Sequence, residues 1–212
     1  MTIEQKKTGT TLVGITAKDG IVIAADRRAS LGGRIVAKKD EHKVDQLSDN
    51  IAVAWAGNVS DIQMNFKVIK AKHKHLQLRR GKQVDTKEAA NLLASMLFGN
   101  LRRSYMFPSV AAFLIGGYDQ EGPSLYSADP DGTLMKYKDY TADGSGMYFA
   151  LGVLEANYKP NMSVNDAVKL AMQAVQAAIE RDTASGNGID ILTITKNGVE
   201  KAYEKAVNMS IQ

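Results

Sequence analysis

The apolar positions of this chain change period several times, and those changes predict its elements. Near-continuous apolar runs at 11–17 and 20–25 read as two strands around Lys18-Asp19-Gly20, a hairpin signal of the Asp-Gly kind. Segments 34–37, 43–47 and 50–56 read as further short strands. The period then becomes helical. Ile62, Phe66, Ile69, His73 and Leu76 predict a helix over 60–79. A second helix is expected after Asp85, where Asp85 and Glu88 have capping-box spacing and Ala90, Leu93, Ala94 and Leu97 share one face.

Strands return at 110–116, 124–128 and 133–140, the last two hinged on Asp129-Pro-Asp-Gly132. A short helix is predicted near Ser145. A longer one follows Ser163, with Asp166 in capping-box position and Val164, Val168, Ala171, Val175 and Ile179 facing inward. Segments 189–196 and 198–203 close the chain as a hairpin turning on Asn197-Gly198. Helices grouped apart from strands argue for an α+β fold. Two sheets packed face to face with helix pairs outside would bury every apolar face, which predicts a four-layer α-β-β-α sandwich.

No linker, repeat or low-complexity tract divides the chain, so one domain is expected from its 212 residues. That length buries a core without staples. The absence of cysteine excludes a disulfide framework, a thiol nucleophile and thiolate zinc sites. The first nine residues lack the apolar core of a secretory signal, and no apolar run reaches the roughly 18 residues of a membrane span. The expectation is a cytoplasmic protein without membrane contact. Net charge is +4, and the basic stretch Lys70–Lys82 is the one candidate for nucleic acid. It carries no interleaved aromatic residues and falls on the outer face of a predicted helix, so a solvated surface is the better reading.

The chemistry begins with what is missing. His42, His73 and His75 show no metal-ligand spacing, the Gly-Ser-Gly at 144–146 is not a nucleophile elbow, and there is no Walker A sequence. What stands out is Gly9-Thr10-Thr11 just before the first strand. Beyond it come Ala25-Asp26-Arg27-Arg28-Ala29-Ser30, Lys43-Val44, Ala56-Gly57, Gly144-Ser145-Gly146 and Arg181-Asp182-Thr183-Ala184-Ser185-Gly186. Each has a bland reading: an ion pair at a turn for Asp26 and Arg28, a surface lysine for Lys43, an N-cap for Ser145, and helix-end caps for Asp182 and Ser185. Taken together and in this order, they favour a functional reading.

As a set, these motifs resemble the proteasome β-subunit family, most closely the archaeal type, over nearly the whole chain. The resemblance implies an N-terminal nucleophile hydrolase fold: a leader at residues 1–9, removed by self-cleavage of the Gly9–Thr10 bond, and a catalytic domain at 10–212. It implies a threonine endopeptidase with Thr10 as nucleophile and Asp26 and Lys43 as its acidic and basic partners. Gly57 would be the oxyanion donor, Arg28 a supporting residue, and Ser145, Asp182 and Ser185 the network around the threonine amine. Ala29, Trp55 and Val59 match specificity-pocket positions, with Glu41 and Asp45 near the rim; Trp55 would narrow the pocket toward small or medium apolar side chains. The resemblance further implies a homo- or hetero-heptameric β ring stacked on a second one, capped by α-subunit rings, and fed unfolded polypeptide by a regulatory ATPase. No cofactor or metal is implied.

The physical logic agrees. A threonine hydroxyl needs a nearby base, and a free α-amino group, with pKa about 7.7–8.0, is a natural candidate when no histidine serves. A charged Lys43 would stabilise an alkoxide-like oxygen, and Asp26 would hold that lysine in place. The interval from Asp26 to Lys43 carries one extra residue near Leu31-Gly-Gly-Arg34, so a shifted register would put His42 in the lysine position. Ser60 stands where the family commonly has glycine. Three alternatives remain: a silent β-ring subunit that keeps its leader, a bacterial proteasome-like peptidase of a two-tiered six-membered ring, and a nucleic-acid-binding module.

Overall fold

The computed structural model describes residues 9–103 and 110–206; of the leader expected at residues 1–9, residues 1–8 lie outside them. Ten of the strands form two five-stranded sheets. The first sheet contains β1 (Leu12–Ala17), β2 (Gly20–Asp26), β10 (Tyr140–Asp143), β11 (Gly188–Thr195) and β12 (Gly198–Ala206), in the order β10-β1-β2-β11-β12. The second is β5 (Val44–Ser48), β6 (Ile51–Gly57), β7 (Ala111–Asp119), β8 (Gly122–Ala128) and β9 (Leu134–Tyr137), in sequence order. A small hairpin, β3 (Ala29–Leu31) and β4 (Ile35–Lys38), stands apart.

The period-two alternation of the strands decides the layers. Val13, Ile15, Val22 and Ala24 point away from the second sheet and pack under α3 (Met147–Asn157) and α4 (Val164–Arg181). Their neighbours Leu12, Ile21, Ile23 and Ala25 face the second sheet and meet Ala52, Ala54 and Leu114. On the far side of that sheet, Ile51, Val53, Phe113 and Ile115 pack under α1 (Val59–Arg80) and α2 (Thr86–Arg103). Three apolar layers thus separate four layers of secondary structure. The fold is the expected α-β-β-α sandwich. Both faces of the central strands are covered, which is why their sequences read as continuous apolar runs.

The structure corrects several details. The segment expected as one strand over 133–140 is two. β9 belongs to the second sheet and β10 to the first, and the chain crosses between them at Lys138 and Asp139, where the Asp139 carbonyl takes the Thr16 N–H at 2.6 Å. In both predicted hairpins the glycine follows the two-residue turn rather than sitting in it, because Gly20 pairs with Ala17 and Gly198 with Thr195. α1 starts one residue earlier than expected, capped by Asn58, whose side chain accepts the Ser60 N–H. At α2 the Glu88 carboxylate does reach back to the Asp85 N–H. The Thr86 N–H and hydroxyl, however, both donate to Asp119 of β7, a cap from a distant strand. Ser163 caps α4 by accepting the Asp166 N–H, as the spacing predicts. Among the described residues, no helix is long and apolar enough to cross a membrane.

Candidate active site

The β1–β2 register pairs Leu12 with Ala25, so the chain entering β1 runs beside the end of β2. This places Thr10 and Thr11 next to Asp26. The Asp26 carboxylate is fully buried and accepts four hydrogen bonds. Oδ1 takes the Thr11 N–H at 2.9 Å and the Lys43 ammonium at 2.7 Å; Oδ2 takes the N–H groups of Arg28 and Gly186, each at 2.9 Å. Lys43 arrives from the other sheet, one residue ahead of β5. It is 4% exposed, which rules out the surface-lysine reading. Its Nζ also donates to the Gly9 carbonyl at 3.1 Å, and the Thr10 hydroxyl donates to the same oxygen at 2.7 Å.

Burial pushes the Lys43 ammonium below its ordinary pKa of 10.5, and the charge and hydrogen bond of Asp26 oppose that push. The site therefore holds a cation that yields its proton more readily than a surface lysine. It rests against a peptide carbonyl already touched by a hydroxyl.

On the opposite side of Thr10, its N–H donates to Ser145 Oγ at 3.1 Å. Ser145 in turn donates to Asp182 Oδ2 at 2.5 Å, and Ser185 donates to the same oxygen at 2.7 Å. Ser145, Asp182 and Ser185 thus lie together, but only Ser145 touches Thr10; Ser185 meets Thr11 instead. Ser145 is not the N-cap of α3, a position held by Gly146. Asp182 serves the network and is also the C-cap of α4. The flanking glycines admit the threonines: a Cβ on Gly144 would lie 2.1 Å from the Thr10 carbonyl oxygen, and one on Gly146 would lie 2.0 Å from Thr11 Oγ1.

Arg28 does not form the side-chain ion pair with Asp26 that the bland reading offered. Only its backbone N–H meets that carboxylate. The guanidinium lies over Gly186 and donates to Asn187 Oδ1 and the Thr183 carbonyl, both at 2.8 Å. It thereby pins the loop that offers Asp26 the Gly186 N–H. His42 does not stand in for Lys43. It points the other way, bonds Asp190 at 2.8 Å, and accepts from Arg27 at 3.3 Å. Arg27 lies 3.7 and 3.8 Å from the carboxylates of Asp190 and Glu204, so their charge is met by a fixed cation.

A cavity of about 80 Å³ opens beside Thr10. Ala29, Trp55 and Val59, the expected pocket residues, line it, together with Glu41 and Gly57. Asp45 does not; it lines an adjoining cavity instead. Ile62, Gln63 and Phe66 of α1 complete the wall. Trp55 packs on Phe66 with ring centroids 5.0 Å apart, and the two rings stand between this cavity and the adjoining one, lining both. Gly57 has φ +129°, and a Cβ there would lie 2.2 Å from the Val110 carbonyl oxygen; the glycine is a backbone requirement at the cavity wall.

A family model described as proteasome subunit matches residues 6–194. The chain belongs to the proteasome subunit family. Among similar proteins, "Proteasome subunit beta 2" of Thermococcus onnurineus is 44% identical over 202 residues, covering 95% of this chain and 98% of that one. "Proteasome subunit beta" of Methanocaldococcus jannaschii is 44% identical over 193 residues, 91% and 84% of the two chains. That of Nanoarchaeum equitans is 42% identical over 197 residues, 93% and 98%.

Several site residues escape sequence reasoning in this proteasome-family chain. Thr11 hydrogen-bonds Ser185 at 2.7 Å, yet in the sequence it looks like one more β-branched strand residue. Asn187, with φ +65°, carries only the weak signal of an asparagine between two glycines. Phe66 and Gln63 belong to a helix whose apolar stripe explains Phe66 without any cavity.

Proposed function

We propose that this chain is a threonine-type endopeptidase subunit of a proteasome core particle, made active by cleavage of its own Gly9–Thr10 bond. The observation that carries the reading is the pair of donors, Thr10 Oγ1 and Lys43 Nζ, on the Gly9 carbonyl oxygen, with Asp26 behind the lysine. While Gly9 is attached, the Thr10 nitrogen is an amide and has no base strength. Lys43, its proton affinity weakened by burial, gives up one proton to solvent and in its neutral form accepts the hydroxyl proton, which it then hands to the leaving nitrogen. Thr10 Oγ attacks the Gly9 carbonyl carbon, the C–N bond breaks with a proton passed to nitrogen, and water hydrolyses the resulting ester. Residues 1–9 leave and Thr10 gains a free amine.

In turnover, Thr10 Oγ attacks the substrate carbonyl. The proton passes through Lys43 and the amine to the leaving nitrogen, and an acyl-enzyme ester forms. A water activated by the Thr10 amine then releases the second product. The N–H of Gly57, whose residue lines the same cavity, is assigned to the developing oxyanion. Ala29, Trp55 and Val59 bound the space for the side chain preceding the cut, favouring small or medium apolar residues. The substrates are unfolded polypeptides. The catalytic domain spans 10–212 and works in a heptameric β ring, homo- or hetero-oligomeric, stacked on a second β ring between α-subunit rings, with a regulatory ATPase, in the cytoplasm. The relatives, named as proteasome β-subunits, support this assembly.

The test is co-expression with the partner α-subunit, comparing wild type with Thr10→Ala by intact mass and peptide hydrolysis. Wild type is expected to lose residues 1–9 and cut peptides, whereas Thr10→Ala does neither. A full-length, inactive wild type would instead support a silent ring subunit.

A further inference from the structure

Thr11 lies beside the reacting residue, is fully buried, and has no part in the chemistry above. Its hydroxyl sits 2.7 Å from Ser185 Oγ. Ser185 has one hydrogen, and it goes to Asp182 Oδ2, a carboxylate that accepts only. Thr11 must therefore be the donor. The bonds then run in one direction from Thr11 to Ser185 to Asp182. Ser145 reaches the same carboxylate oxygen from the other side and accepts from the Thr10 nitrogen.

We infer that Thr11 is a positioning residue that lowers the basicity of the Thr10 amine through this hydroxyl chain; the inference rests on the proposed threonine chemistry. A hydroxyl that accepts a hydrogen bond becomes a stronger donor. Thr11 thus strengthens the bond from Ser185 to Asp182. Two donors share Asp182 Oδ2, so the stronger Ser185 bond weakens the one from Ser145. Ser145 Oγ becomes a poorer acceptor, the ammonium form of the amine loses stabilisation, and more of it is neutral base at a given pH. The other charged groups of the site are Lys43 ahead of β5, Asp26 at the end of β2, Glu41 at the cavity wall, Asp143 at the end of β10, and the Arg28 guanidinium on the 183–187 loop; among the described residues, the Thr11 hydroxyl bonds none of them.

The experiment measures kcat/KM against pH for the assembled particle with a fluorogenic peptide. Thr11→Val keeps the shape and removes the donor, and its acidic limb is expected to move up by about 0.2–0.6 pH unit. Thr11→Ser keeps the donor, and its limb is expected to stay at the wild-type position. A merely structural role would change the height of the profile and leave the limb in place. That result, or an equal shift in Thr11→Ser, overturns the inference while leaving the enzyme reading intact.

Should Thr11→Val fail to assemble, Thr11→Val with Ser185→Ala removes both ends of the bond and leaves no orphaned partner. Because Thr11 acts only through Ser185, this double variant is expected to match Ser185→Ala alone; a further shift in the double overturns the route. Wild-type particles without Thr10-dependent hydrolysis would defeat the proposed function, and this inference with it.

Discussion

Asp26 works as an acceptor as much as a charge. Three backbone N–H groups and one ammonium share its two oxygens, so it fixes the entry to β1, the end of β2, the 186 loop and Lys43 together. In Asp26→Asn one oxygen becomes an NH2 group facing donors, and the buried lysine loses its counter-charge. A loss of about 3–5 kcal/mol is expected in denaturant unfolding, together with loss of peptidase activity. Lys43→Met is expected to lower kcat/KM by roughly 10²–10⁴. Lys43→Arg should not restore it, because a planar fork does not fit between one carboxylate oxygen and one carbonyl. At the cavity, Trp55→Ala removes a ring that lines the space, and peptide-library profiling should show cleavage shifting toward bulkier side chains. At this scale the sequence singled out Thr10 by its place before the first strand, and Asp26 and Lys43 only as members of a motif set, since each alone reads as an ordinary ion-pair or surface residue. It concealed Thr11, whose residue type is as common in strands as in sites.

Helix α1 carries a titratable group that the site does not use. His73 is buried under the helix, and among the described residues its Nε2 has no hydrogen-bond partner. Burial first, and Lys74 second, hold its pKa below 6.5. In the folded state the ring stays neutral where the unfolded chain would already take a proton. Stability is therefore fully present above about pH 6.5 and falls as pH drops through the window between that value and the depressed folded pKa. The unfolding midpoint of wild type should fall more between neutral and mildly acidic pH than that of His73→Leu, as followed by circular dichroism. The stripe that predicted α1 included His73 for its spacing, and the structure agrees. At α2, sequence spacing found half of the cap in Glu88. The other half comes from Asp119, more than thirty residues away along the chain and invisible to any local pattern. Asp119→Ala should cost about 1–2 kcal/mol.

The two sheets contribute different halves of the site. Thr10 leads into β1 and Asp26 ends β2 of the first sheet, while Lys43 leads into β5 and Gly57 ends β6 of the second. Their meeting depends on the middle apolar layer, where Leu114 is fully buried against the facing sheet. Leu114→Ala is expected to destabilise the protein by about 2–5 kcal/mol.

Alone, the sequence determined the elements and their layering and supplied the candidate site residues, because period and residue chemistry are local properties. Only the tertiary structure decided that Lys43 rather than His42 meets Asp26, that Arg28 braces a loop instead of pairing with a carboxylate, and that 133–140 divides between two sheets. Each of those outcomes is set by which side chain crosses the space between elements, and that is fixed by packing across the sandwich, not by neighbours along the chain.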